Sequence, residues 1–331
     1  LAENRLRKPR TGRFRAAFFT EPVEASCHPW GICSVQSGSR VMRLKLLLVI
    51  WPLWSVVATH AATPTAVEVP TASFSSSPAP LRAFLFRPDG AGRHPAVVMV
   101  HGCGGAYGKD GQLNARHAMW GDYLSAQGFV ALLLDSFTSR GIKEICTTRY
   151  RDRTLKEGDR VGDAYAALAY LRQLPGVDAD RIALLGWSHG AGVALDAIGQ
   201  RHHATALAAP DLGFMAAIAF YPGCTSRNKQ SGHFHPYVPI LLLIGEADDW
   251  TPAAPCKALA ATVAARGEPM RIVTYPDTFH DFDNPALTRQ RVRKDVPNGV
   301  NPGAGVTTAP NVQAREDAKQ RVKTFLAEHL K

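Results

Sequence analysis

Residues 184–192 read LLGWSHGAG. An apolar run enters a serine set between two glycines, and small residues suited to a closely packed helix follow. This is the G-x-S-x-G pattern of a sharp strand-to-helix turn, in which Gly186 and Gly190 let backbones approach and Ser188 is lifted above a sheet. Five positions alone recur by chance. The setting carries the weight: a buried strand hands over to an Ala/Gly-rich helix. A serine hydroxyl is a weak nucleophile until a base takes its proton, and of twelve histidines in the chain one, His189, stands next to it.

Working outward from that turn, apolar runs and helical spacings alternate. LRAFLFRP (81–88) alternates like an exposed strand, and AVVMV (96–100) and FVALLLD (129–135) are continuous apolar runs of strands buried on both faces. A helix is predicted over 113–127, with Leu113, His117, Trp120 and Leu124 on one side. Another spans 158–176 and stops at Pro175-Gly176. Strand RIALLG (181–186), helix 189–200, strands 216–223 and 239–248, helix 252–266, strand 271–277 and helix 312–330 complete the series. Strands separated by helices imply a mostly parallel sheet with helices on both faces, in one α/β domain over 81–331. The Pro/Ser/Thr-rich entry at 63–80 is expected to form edge structure or a linker. Insertions at 136–156, 224–237 and 281–310 follow strands and therefore gather at the carboxyl edge, where open α/β sheets bind ligands.

The chain order beyond Ser188 supplies the rest of a serine hydrolase. GEADDWTP places Asp248 at the end of an apolar strand, and YPDTFHDF places His280 in the loop after the last one. Nucleophile, acid and base then follow in the order of strand-end sites that such chemistry uses. Asp249 and Asp281 are alternative acids; the Gly245 and Pro252 spacing favours Asp248, and Asp281 is expected as a loop-surface carboxylate. Side chains on so tight a turn diverge, so the His189 ring is expected to point away from Ser188 and its backbone N–H toward a developing oxyanion. VMVHGCGGAYG (98–108) offers the second N–H, from Cys103 or Gly104. A dinucleotide G-x-G-x-x-G needs glycine where Tyr107 stands, and a P-loop needs glycine at Cys103 and a hydroxyl at Asp110; both fail. Asp135, Ser136 and Arg140 could contact substrate or pack their own loop, and Trp187, Trp250 and Tyr221 could line an acyl pocket or pack.

At this point the chain resembles the dienelactone hydrolase family of α/β-hydrolases. The resemblance covers 81–330 through VMVHGCGG, LLLDSFTSRG, DAYAALAYLR, LLGWSHGAG, AFYPGC, LLLIGEADDWTP and YPDTFHDFD. It implies an α/β-hydrolase sheet of about eight strands without a separate cap domain, hydrolysis of carboxylic esters or lactones, and catalytic positions at Ser188, Asp248 and His280. Dienelactone hydrolases proper carry cysteine at the elbow. Serine at that position moves the reading toward a general serine esterase needing no cofactor and no metal. The competing readings are a peptidase of prolyl-oligopeptidase type and a non-catalytic binding protein on the same scaffold.

Composition bounds the remainder. Apolar residues make 46% of the 331-residue chain and charged ones 20%, which suits a globular protein with a large core. The formal charge of +10 is concentrated ahead of the domain: residues 63–331 carry 29 basic against 25 acidic side chains. That removes the nucleic-acid reading. MRLKLLLVIWPLWSVVATHAA (42–62) has the basic start, apolar middle and small-residue end of a secretory signal, and its apolar run is too short for a stable membrane anchor. Residues 1–41 then read as a leader that is not expected to fold. Export, to the periplasm or beyond, makes the four cysteines after the signal candidates for two disulfides, with three pairings open by count. Cys103, Cys146, Cys224 and Cys256 each follow a carboxyl strand end, which suggests Cys103–Cys146 and Cys224–Cys256. The expected partner is a small ester or lactone, and the protein is expected as a monomer or dimer.

Overall fold

The structure, a computed structural model, describes residues 25–28, 32–35, 64–71, 74, 75, 77, 79–199 and 213–330. The expected signal segment, 42–62, and most of the expected leader lie outside the described residues. The chain divides into two units, Leu1–Thr59 and His60–Lys331. In the first, strands β1 (Ala25–His28) and β2 (Ile32–Val35) pair antiparallel.

The second unit is built on an eight-stranded sheet. Its strands are β3 (Thr65–Val69), β4 (Leu81–Phe86), β5 (His94–Val100), β6 (Val130–Leu134), β7 (Val177–Trp187), β8 (Ala216–Phe220), β9 (Ile240–Gly245) and β10 (Met270–Tyr275). They lie in the order β10-β9-β8-β7-β5-β6-β4-β3. All neighbours are parallel except β4, which runs antiparallel to both β6 and β3. Together with the helices this is the α/β-hydrolase arrangement. The Pro/Ser/Thr-rich entry supplies an edge strand, β3.

Alternate side chains of the central strands enter two separate apolar clusters, as a pleated sheet covered on both faces requires. Val97 and Met99 of β5, Ala131 and Leu133 of β6, and Leu185 of β7 join one cluster with Trp120 and Leu124 of helix α1 (Ala115–Ala126). Ala96, Val98 and Val100, Leu132 and Leu134, and Leu184 join the other with Tyr165, Leu168 and Leu171 of helix α2 (Val161–Gln173). Helix α3 (His189–Ile198) follows β7 directly and is buried along nearly all its length, which is why its residues are small. Helices α4 (Thr225–Lys229), α5 (Ala253–Ala265) and α6 (Val312–His329) complete the described set. Asn311 caps α6 by accepting the Ala314 N–H at 3.0 Å, and its amide donates to Thr278 Oγ1 at 2.7 Å, tying the helix start to the loop after β10.

Two features belong to the insertions. Within 281–310, strands β11 (Arg291–Arg293) and β12 (Val306–Thr308) pair antiparallel. Disulfides join Cys103 to Cys146 and Cys224 to Cys256. The first links the loops after the neighbouring strands β5 and β6; the second links the loop after β8 to α5, which follows β9.

Candidate active site

The elbow is strained by design of its sequence. Ser188 has φ 52° and ψ −114°, a region that L-residues avoid, at a cost of about 1–3 kcal/mol. A Cβ on Gly186 would stand 2.1 Å from Gly190 O, and one on Gly190 would stand 2.1 Å from Val100 O. Both glycines are therefore required by backbone contact. The Ser188 N–H donates to Phe220 O at 2.9 Å, anchoring the turn to β8. Gly190→Ala is expected to lose at least about 3 kcal/mol of stability, the upper end of ordinary overpacking, because the obstacle is backbone. Urea denaturation measures it, and a loss under 1 kcal/mol would contradict the contact.

Asp248 and His280 come together from the loops after β9 and β10. His280 Nδ1 donates to Asp248 Oδ2 at 2.7 Å, with both side chains buried. The other oxygen, Oδ1, accepts the N–H groups of Trp250 (2.9 Å) and Thr251 (2.8 Å). The Thr251 hydroxyl lies 3.0 Å from Asp248 Oδ2 and 3.1 Å from His280 Nδ1, and it donates to Tyr221 O at 3.0 Å. The His280 ring sits between Tyr221 and Trp250, with centroids 4.4 and 4.6 Å away. Burial disfavours its protonated form, but the charge and hydrogen bond of Asp248 outweigh burial and raise its pKa above 6.5.

The strand pair in the last insertion fixes both loops. Thr307 donates its N–H and hydroxyl to the two oxygens of Asp249, each at 2.7 Å, so Asp249 is committed to β12 rather than to a histidine. Thr308 pairs with His280, and the Ala309 N–H donates to His280 O at 3.3 Å. Asp281, expected on the loop surface, instead forms an ion pair with Arg116 of α1 and is three-quarters buried. Its backbone is left-handed, φ 62°.

Behind the histidine lies a network of buried polar groups. Asp283 Oδ2 accepts the indole N–H groups of Trp120 (2.8 Å) and Trp187 (2.9 Å), and Oδ1 accepts the Tyr221 hydroxyl at 2.6 Å. Arg116 donates to the same hydroxyl at 3.0 Å. One carboxylate thus ties α1, the residue before Ser188, the end of β8 and the His280 loop together. Only the wording HDFD hints at it in sequence.

Ser188, Cys103 and His189 line one cleft of about 210 Å³ with Arg153, Trp250 and Thr251. Among the described residues, the backbone N–H groups of Cys103 and His189 have no hydrogen-bond acceptor, and Ser188 Oγ is hydrogen-bonded to neither histidine ring. The ring of His189 is buried and takes a hydrogen bond from Arg160 at 2.9 Å. Burial and the Arg160 charge hold its pKa well below 6.5. Asp135 accepts the N–H groups of Phe137 and Thr138, packing its own loop, and Arg140 pairs with Asp163, tying that loop to α2. Among the described residues no His/Cys/Asp/Glu group could hold a metal ion, and no helix is long and apolar enough to cross a membrane.

Comparison with known proteins gives the family. The dienelactone hydrolase family model matches residues 81–330, the whole span that contains it. The chain belongs to the dienelactone hydrolase family. A putative dienelactone hydrolase of Klebsiella pneumoniae shares the fold at TM-score 0.59 and 17% identity, covering 81% of this chain and all (100%) of that one. A probable 2-oxo-3-(5-oxofuran-2-ylidene)propanoate lactonase of Bradyrhizobium is 29% identical over 51% of this chain and 65% of its own length. An uncharacterized protein of Mycobacterium tuberculosis is 32% identical over 40% of this chain. The match spans only about half, 49%, of that relative's length.

Proposed function

We propose that this member of the dienelactone hydrolase family is an exported serine hydrolase that cleaves carboxylic esters or lactones through an acyl-enzyme on Ser188. The observation that carries the reading is the buried Asp248–His280 pair, 2.7 Å apart and joined to Thr251, which lines the same cleft as Ser188, Cys103 and His189, the last two with unpartnered backbone N–H groups among the described residues. His280, held by Asp248 in the tautomer that leaves Nε2 free, takes the Ser188 proton as Oγ attacks the carbonyl carbon. The N–H groups of His189 and Cys103 receive the oxyanion. His280 then gives the proton to the departing alkoxide, and in the second half takes one from water that hydrolyses the acyl-enzyme. No cofactor enters. The signal at 42–62 delivers the domain from residue 63 onward to an oxidising compartment, which suits its two disulfides.

A cleft of about 210 Å³ is below the range of roughly 300–1,000 Å³ common for drug-sized ligands, and its walls include Arg153, Glu157 and Asn298. Short acyl groups fit that space. The test is reaction with a fluorophosphonate followed by peptide mapping, alongside nitrophenyl esters of two to twelve carbons. A single adduct on Ser188 and fastest turnover of the shortest esters are expected. An adduct elsewhere, or labelling that survives in Ser188→Ala, would refute the nucleophile.

A further inference from the structure

Arg160 closes a 3-10 turn, Gly158–Arg160, at the start of α2 and is fully buried. A buried guanidinium is ordinarily matched by a carboxylate, because an unpaired charge is costly to desolvate. Here, among the described residues, Arg160 has no ion-pair partner. Asp163, one turn on, is taken by Arg140, which donates to its two oxygens at 2.8 and 2.9 Å. Arg160 instead spends its donors on two other segments. Nη1 donates to His189 Nδ1 at 2.9 Å, and Nη2 donates to His101 O at 3.0 Å. Its charge lies over the Phe137 ring, 4.9 Å from the centroid. The His101 ring also lies against the guanidinium, its Nδ1 and Nε2 3.4 and 3.5 Å from Nη2; Nδ1 donates to Gly102 O at 2.8 Å, and Nε2 accepts the Ser136 N–H at 3.2 Å.

Those two segments are the ones that carry the unpartnered N–H groups of the cleft. His101 stands two residues before Cys103, and His189 presents its own N–H from the elbow. We propose that Arg160 is a positioning residue of the oxyanion site, a single planar fork that sets the spacing between the Cys103 and His189 N–H groups. This rests on the reading of Ser188 as nucleophile. A fork can hold two acceptors at a fixed separation, which an ammonium on a flexible stem cannot. Burial pushes the Arg160 pKa down only to about 10, so the group remains charged at neutral pH.

The experiment compares Arg160→Lys and Arg160→Met with wild type, counting functional sites by fluorophosphonate titration so that misfolded protein drops out. An oxyanion donor acts in the transition state, so kcat per titrated site should fall with KM nearly constant. The expected loss is on the order of 10²-fold for the methionine variant, as for removal of one oxyanion donor, and about tenfold for lysine. The inhibition constant of a trifluoromethyl ketone should rise in the same proportion as kcat falls. Lysine is the informative variant if methionine yields no titratable sites. Values of kcat within about threefold of wild type, or a loss confined to KM with unchanged ketone binding, would overturn the proposal. Wild-type protein that is not labelled at Ser188 would overturn the underlying reading instead, and Arg160 with it.

Discussion

Replacing His280 with alanine is expected to lower kcat by about 10⁶-fold, close to the loss on removing the nucleophile itself, because the two act as one unit. The informative comparison is His189→Gln. A glutamine oxygen still accepts from Arg160, so the buried guanidinium keeps its partner, and the backbone N–H remains in place. That variant is expected to lose less than tenfold in kcat, within the range of a disturbed but intact site. Steady-state turnover of a nitrophenyl ester measures both. The sequence makes His189 the tempting base, being adjacent to Ser188. The structure gives its ring to Arg160, at 2.9 Å, and gives Asp248 to His280. A greater loss at His189 than at His280 would reverse the assignment.

Asp248→Asn is expected to cost about 10⁴-fold in kcat, since an amide can hold the ring in the wrong tautomer and cannot stabilise the imidazolium. The pH profile adds a second signature. In the proposed mechanism His280 works as the neutral ring, and its pKa in the folded protein is raised above 6.5, so kcat/KM should climb through an acid limb centred above 6.5. With Asp248 neutralised, burial is left without its main opponent, and the limb should move below 6.5. Stability runs the other way. A pKa raised by folding means that His280 contributes stability below its unfolded pKa, and this is lost as pH rises through the folded value. The residue therefore gives up stabilisation over the same interval in which it gains activity. An acid limb that does not move in Asp248→Asn would separate Asp248 from the base.

The central strands were legible because two-sided burial leaves unbroken apolar runs, and the elbow because two glycines and a serine have few other uses at a strand end. Where a strand is half wet the pattern fails. β7 begins at Val177, not 181, since its first turns read VDAD. β11 and β12 are three residues each and were indistinguishable from loop. Charged residues defeat sequence reading most often, because a lone arginine or aspartate is expected on the surface. Arg116, Arg160 and Asp283 are all buried, and each makes sense only through partners 29 to 165 positions away. Asp281 misled for the same reason. Thr251 carried no signal at all beyond its place three residues after Asp248.

The two disulfides take on a further meaning from the strand order. β7, which presents Ser188, has β5 and then β6 on one side and β8 and then β9 on the other. Cys103–Cys146 ties the first pair of strand ends, and Cys224–Cys256 spans the second. Under the first lies its own small apolar cluster of Phe137, Ile145, Leu155, Val296 and Val306. The mouth of the cleft is thus moored independently of the sheet below it. The loops that follow those bridges supply Tyr150, Arg153, Thr225, Ser226 and Arg227 to the wall of the cleft. On the proposed reading, the loops that would meet a substrate are thereby anchored apart from the strand-end residues that would act on it.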